Sequence, residues 1–259
     1  MISALARMYA VSLDPGLLKA ALDALVYANT HLFKDGGYYH EATQKNAFFL
    51  ADQIGMLKGL LALHEITGDV TYLDQASKLA SFVMTRLKEP TGLFLSRTQV
   101  SKAVGVFAEK RLPFDENVAV ARGFLKLYAF VGEGRFREDA ERILKALGNR
   151  PTLANQGRWL GDFLLAWDEL QTEASHLTVV GSRKDQRTQA LHRATLGLWM
   201  PHGVVIFHDP KDGVPRNPDL GFPILNEPAV FLCGKGSCSR PFKDPQTLAE
   251  DIRQTVRKK

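Results

Sequence analysis

Apolar positions recur along residues 1–172 at the three-and-four spacing of amphipathic helices, and after residue 175 they give way to short continuous apolar runs. The first pattern predicts helices near 1–12, 15–32, 48–66, 70–88, 115–131, 135–148 and 153–172. Three segments align without gaps: Tyr9–Ala21, His64–Ala76 and Tyr128–Ala140, spaced 55 and then 64 residues apart. Each carries the end of one helix, a short turn and the start of the next. An acid at each new helix start (Asp14, Asp69, Glu133) can accept from free N–H groups, and Pro15 suits a first helical turn. A large residue (Leu17, Tyr72, Phe136) and an alanine four places later share one face. Repeated αα-hairpins predict a mainly α fold, a partial α/α toroid with too few helices for a closed ring of six hairpins.

Beyond residue 175, the runs 176–180, 203–207 and 229–233 read as buried strands, with a helix over 184–198 between the first two. That order is a βαβ unit, hence a parallel pair. Asp244-Pro245 starts a last helix. Two parts are therefore expected: a helical-hairpin toroid portion over 1–175, and a small three-strand α/β appendage over 176–259 that carries a Cys-x4-Cys.

Composition narrows the function classes. Of 259 residues, 45% are hydrophobic and 24% charged, which suits a folded globular chain. No run of 18 apolar residues occurs, so no membrane contact is expected, and the N-terminus lacks a signal-peptide pattern, which predicts a cytoplasmic address. Residues 176–259 hold 13 Lys/Arg against 8 Asp/Glu and so carry the whole net charge of +5. These cations are scattered apart from the tail Arg257-Lys258-Lys259, without interleaved aromatics, so no nucleic-acid partner is expected. Cys233 and Cys238 read foremost as structural thiols, with a redox pair or a metal site as lesser alternatives. They are too few for a zinc site, and no cofactor fingerprint is present.

Several runs resemble one family, the thioredoxin-domain-containing proteins related to spermatogenesis-associated protein 20. They are the opening Met1–Ala6, Phe49-Leu-Ala-Asp52-Gln, Leu60–Asp69 and above all Cys233-Gly-Lys-Gly-Ser-Cys238-Ser-Arg-Pro241-Phe-Lys-Asp244-Pro245. The resemblance implies a six-hairpin glycosidase-like toroid, with carbohydrate processing of the kind performed by such glycosidases and by N-acylglucosamine 2-epimerases. The family's thioredoxin-like domain and first hairpins have no counterpart here, so redox activity is not carried over. The family's Ser-Gly-Asn-Ser stands here as Phe114-Asp115-Glu116-Asn117, and its paired acids as Ala51-Asp52. Both departures fall where a sugar site would lie. They keep open a second reading, a non-catalytic binding or assembly module that works with a thioredoxin-like partner.

In a toroid, the inner helices bring their N-terminal ends and preceding loops to one mouth. His40, Asp52, Asp115 and Glu116 are the candidates there for acid–base chemistry, since glycoside hydrolysis needs two carboxyls and epimerisation an acid/base pair. Tyr38, Tyr39, Glu41, Phe114 and Asn117 are the candidates for holding a sugar. Trp159 and Trp167 read as packing residues on one helix. The first helix shows an apolar stripe, Ile2, Leu5, Met8 and Tyr9, that a missing hairpin would normally cover. A second copy or a separately encoded N-terminal partner is therefore expected to bind it.

Overall fold

Acids or prolines start several helices in this chain, and the helices ending at Ser12, Thr67 and Val131 stop at a left-handed turn residue. A computed structural model describes residues 1–43, 46–99, 104–198, 200, 202–234 and 236–257, so Lys258 and Lys259 of the basic tail lie outside the described residues. Helix α1 (Ile2–Ser12) is followed by α2 (Pro15–His31), with Asp14 accepting from the Gly16 amide. A two-strand hairpin, β1 (Phe33–Lys34) and β2 (Gly37–Tyr38), leads to α3 (Leu50–Thr67) and α4 (Val70–Arg86), where Asp69 accepts from the Thr71 amide. After a long loop come α5 (Phe114–Val131) and α6 (Gly134–Leu147), then α7 (Arg150–Gln156) and α8 (Gly161–Gln171). The single helix expected over 153–172 is thus two, broken where Gly157 takes a positive φ of 56°. Trp159 falls in that break and is 72% exposed, so the two tryptophans share no packed helix face.

Helices α1, α3, α5 and α8 pack side by side as an inner layer, with α2, α4 and α6 behind them, forming part of an α/α toroid around one large apolar core. Close approach of the inner helices uses glycine: a Cβ on Gly59 would lie 3.1 Å from Ile2, and one on Gly123 3.1 Å from Leu57. The apolar stripe of α1 is therefore mostly covered from within. Ile2 and Ala6 are buried, Leu5 and Tyr9 pack on the core, and Met8 alone of the four predicted positions is exposed.

The appendage is a four-stranded sheet of order β4-β3-β5-β6, built from β3 (Ser175–Val180), β4 (Gly203–His208), β5 (Ala229–Gly234) and the short β6 (Ser237–Cys238). β3 and β4 pair in parallel, Ser175 opposite Gly203, while β5 runs antiparallel to β3. Helices α9 (Gln186–Leu196) and α10 (Leu248–Arg257) cover one face through Leu177, Val179, Leu191, Leu248 and Ile252. The last helix begins later than Asp244-Pro245, whose carboxylate instead closes a turn onto the Gln246 amide. Cys233 and Cys238 face each other across β5 and β6 and are joined as a disulfide, which replaces the expectation of free structural thiols.

The appendage seals one end of the toroid by capping its helices. The last carbonyls of a helix lack intrahelical partners. His192 donates Nε2–H to the Glu65 carbonyl in the last turn of α3 (3.1 Å), and His176 donates to the Ala129 carbonyl in the last turn of α5 (2.8 Å). Glu65 and Ala129 are equivalent positions of the 64-residue repeat. The hairpin turns themselves repeat in the same register at Leu13, Gly68 and Gly132, all left-handed. The two glycines are where the appendage sits: a Cβ on Gly68 would lie 2.6 Å from Phe207, and one on Gly132 2.8 Å from Asn217. Leu13 is exposed.

Candidate functional site

At the opposite end, α3 starts after Phe49 and α5 after Pro113, neither of which caps with a side chain. Asp52 and Glu116 each occupy the third position of their helix and are 64 residues apart, so the repeat places two carboxyls equivalently on neighbouring inner helices. Free N–H groups and the helix dipole favour a negative charge there. Their surroundings then make them unequal. His40 Nδ1 lies 3.1 and 3.2 Å from the two Asp52 oxygens. Hydrogen bonding to Asp52 and its charge, opposed by desolvation and aided by the charge of Glu41, hold the His40 imidazole above its ordinary pKa. Glu116 is pushed upward instead, by burial first and then by the charges of Asp52 and Asp115. Its Oε2 is buried without a hydrogen-bond partner among the described residues.

Immediately after each acid stands an amide that the sequence reading treated differently. Gln53 accepts the Tyr38 N–H (2.8 Å) and donates to the carbonyls of Tyr38 (2.7 Å) and Phe49 (3.0 Å). Asn117 accepts the Phe94 N–H (2.7 Å) and donates to the carbonyls of Phe94 (3.0 Å) and Pro113 (2.8 Å). Both amides are fully buried and clamp the preceding loop over the mouth. Asn117 is thus a structural clamp, not a sugar ligand. Gln53, its partner in the repeat, went unnoticed, although the shared 64-residue offset of two amides was its signal.

The tyrosines also move out of the candidate set. Tyr38 is buried, donates its hydroxyl to Asn29 Oδ1 (2.7 Å), and burial pushes its pKa up to about 12. Tyr39 is buried against Phe48, with ring centroids 4.2 Å apart. Burial of this kind closes both rings to stacking on a ligand. Phe114 is half-buried against Phe163. Asp115 and Glu41 are exposed at the mouth with His40. The structure therefore brings together His40, Asp52 and Glu116, with Asp115 and Glu41 as nearby charges.

Below this mouth the four inner helices border an open hollow of about 490 Å³, lined among others by Arg7, Lys58, Arg122, Lys126 and Glu169 and floored by Gly203 and Val204 of β4. A second cavity of about 370 Å³ lies between the α3–α4 turn and the appendage, beside His64, Phe130 and His208. Among the described residues, no cluster of His, Cys, Asp and Glu could hold a metal ion, and no helix is long and apolar enough to cross a membrane.

No known family model matches the chain. Human spermatogenesis-associated protein 20 is 22% identical over 215 residues, 77% of this chain and 26% of that protein. The mouse protein of that name is 22% identical over 233 residues, 85% of this chain and 29% of the relative. The chain thus spans between a quarter and a third of the length of these relatives. Among solved structures, an alpha-1,6-mannanase from Salegentibacter sp. HEL1_6 superposes with a TM-score of 0.56 at 16% identity, covering 75% of this chain and 59% of that one. A cellobiose 2-epimerase from Bacillus thermoamylovorans gives 0.52 at 13% identity, covering 75% and 58%. The chain is accordingly a distant sequence relative of spermatogenesis-associated protein 20, and its helices take the α/α-toroid fold shared by these glycosidases and epimerases.

Proposed function

We propose that this chain is a carbohydrate-processing module whose reacting groups are Glu116 as general acid and the His40–Asp52 pair as base. One observation carries this reading: of two equivalent carboxyls at a toroid mouth, Glu116 has a buried oxygen without a partner among the described residues and Asp52 is hydrogen-bonded to His40. Burial and two neighbouring charges favour the protonated form of Glu116, whereas Asp52 sits beside an imidazole that it makes more basic. A carboxyl kept protonated opposite a hydrogen-bonded histidine–carboxylate pair suits a division of acid and base roles. In hydrolysis, Glu116 gives its proton to the glycosidic oxygen while the pair activates water. In epimerisation, the pair takes a proton from carbon and Glu116 returns one.

A thermal-shift screen with neutral sugars, sugar phosphates and uronates tests the reading. A stabilising sugar whose effect is lost in Asp52→Asn and Glu116→Gln, with the fold intact by circular dichroism, supports it. Sugar binding that both variants retain overturns the assignment of these groups. An assembly role is the second reading, supported by the exposed Met8, Val11, Val26 and Tyr27 on the first hairpin and Trp159, Leu164 and Leu165 near the other end. Light scattering at micromolar concentration tests it: a monomer mass near 28.8 kDa without partner or aggregation overturns it.

A further inference from the structure

The hollow beneath the mouth has a charge pattern that the acid–base reading leaves unused. Along α3, Ala51, Gly55, Lys58, Ala62 and Glu65 recur at helical spacing, and along α5 Asp115, Ala119, Arg122, Lys126 and Ala129 do the same. Small residues keep the upper part open; a Cβ on Gly55 would meet nothing within 4 Å. Below them four cations converge from three helices: Arg7 of α1, Lys58 of α3, and Arg122 and Lys126 of α5.

Two of these cations are neutralised. Arg122 is held by Glu169 (2.7 Å) and Asp162 (2.8 Å), and Lys126 by Glu65 (2.7 Å). Arg7 and Lys58 make no ion pair with a carboxylate among the described residues. Lys58 is also within electrostatic reach of both arginines and of Asp162 and Glu169; desolvation and then the charge of Arg122 outweigh the two carboxylates and hold its ammonium below the ordinary lysine range. Like charges gathered in one partly enclosed hollow repel each other, and a bound oxyanion would relieve that repulsion.

From this placement we infer that the hollow binds the carboxylate or phosphate group of a small ligand through Arg7 and Lys58, with Arg122 oriented beside them by its own acid partners. Resting on the carbohydrate reading, the same geometry selects acidic sugars, a uronate or a sugar phosphate, over neutral ones. The oxyanion seat itself does not depend on turnover at the mouth.

The test uses the whole chain, with inorganic phosphate, glucuronate and glucose as probes and chloride as the reference anion at constant ionic strength. Phosphate is expected to raise the Tm by about 5 °C or more near hundredfold saturation. Lys58→Gln and Arg7→Gln, both at exposed positions, are each expected to weaken phosphate binding about tenfold in calorimetry, while Asp52→Asn leaves it unchanged. Glucuronate is expected to bind where glucose does not. Phosphate without effect on the wild-type chain, or bound equally by both cation variants, overturns the oxyanion seat. Phosphate lost in the cation variants, with glucuronate no better than glucose, upholds the seat and removes the acidic-sugar selection. Sugar binding retained in both Asp52→Asn and Glu116→Gln, with phosphate binding lost in the cation variants, upholds the seat and places the failure in the mouth assignment instead.

Discussion

Replacing Asn117 by Asp keeps the shape of the side chain and changes only what one atom can donate. In the native clamp, the amide nitrogen sits 3.0 Å from the Phe94 carbonyl and 2.8 Å from that of Pro113. An aspartate oxygen there faces two acceptors in a site with no solvent exposure. A protonated carboxyl can restore one of the two donated bonds, so that form costs about 1–2 kcal/mol. The ionised form leaves a buried charge uncompensated and costs about 3–5 kcal/mol. The difference, about 2–3 kcal/mol, raises the folded-state pKa about two units above the ordinary aspartate value of about 3.9. A raised acid contributes stability that is fully present below its unfolded pKa and lost as pH rises through the folded one. The deficit of Asn117→Asp relative to wild type is therefore smallest near about pH 4 and grows until about pH 6–7. Urea unfolding followed by circular dichroism at about pH 4 and about pH 8 reads it directly. Gln53→Glu should behave alike, with Tyr38 and Phe49 in place of Phe94 and Pro113. A deficit equal at both pH values, or none, would refute the clamp geometry.

Further outcomes follow from the turns, a buried imidazole and the disulfide. Gly68→Ala forces a left-handed alanine whose Cβ meets Phe207, at a cost of about 2–4 kcal/mol. Leu13→Gly, at the equivalent but exposed turn, should instead raise stability by about 0.5–1 kcal/mol; thermal melts of the pair should move in opposite directions. Burial lowers the His192 pKa to about 4, so its contribution is present above the unfolded value of about 6.5 and is lost as pH falls toward about 4. His192→Gln should flatten the fall in stability over that acid window, and an unchanged slope would contradict the burial. Reducing Cys233–Cys238 opens a loop of sequence separation 5 and should cost about 2 kcal/mol by loop entropy; melts with and without reductant decide it.

Helix positions were legible because apolar spacing and capping acids act locally. Asp14-Pro15 and Asp69 mark starts that the structure reproduces. The break at Gly157 was hidden because Trp159 and Leu160 continue the apolar period across it, and only the glycine hinted at a positive φ. The carboxyls at 52 and 116 could be read as helix-start acids, but their inequality arises from burial and from His40, which comes from a loop. Tyr38, Tyr39 and Asn117 were legible as loop or helix-start residues, not as buried ones, since what covers them comes from elements distant in sequence. The cations of the hollow come from three helices, and no local spacing reports a convergence of that kind.

The imidazole caps have a consequence for how the molecule comes apart. Because His176 and His192 satisfy carbonyls that the inner helices cannot satisfy themselves, detaching the appendage exposes orphaned acceptors at the base of α3 and α5 together with the apolar faces beside them. The free energy of docking is then shared between the two parts, and neither reaches its full stability alone. Such sharing makes the two parts one cooperative unit. Heating should yield a single calorimetric transition whose measured enthalpy equals the van't Hoff value, not two separable ones.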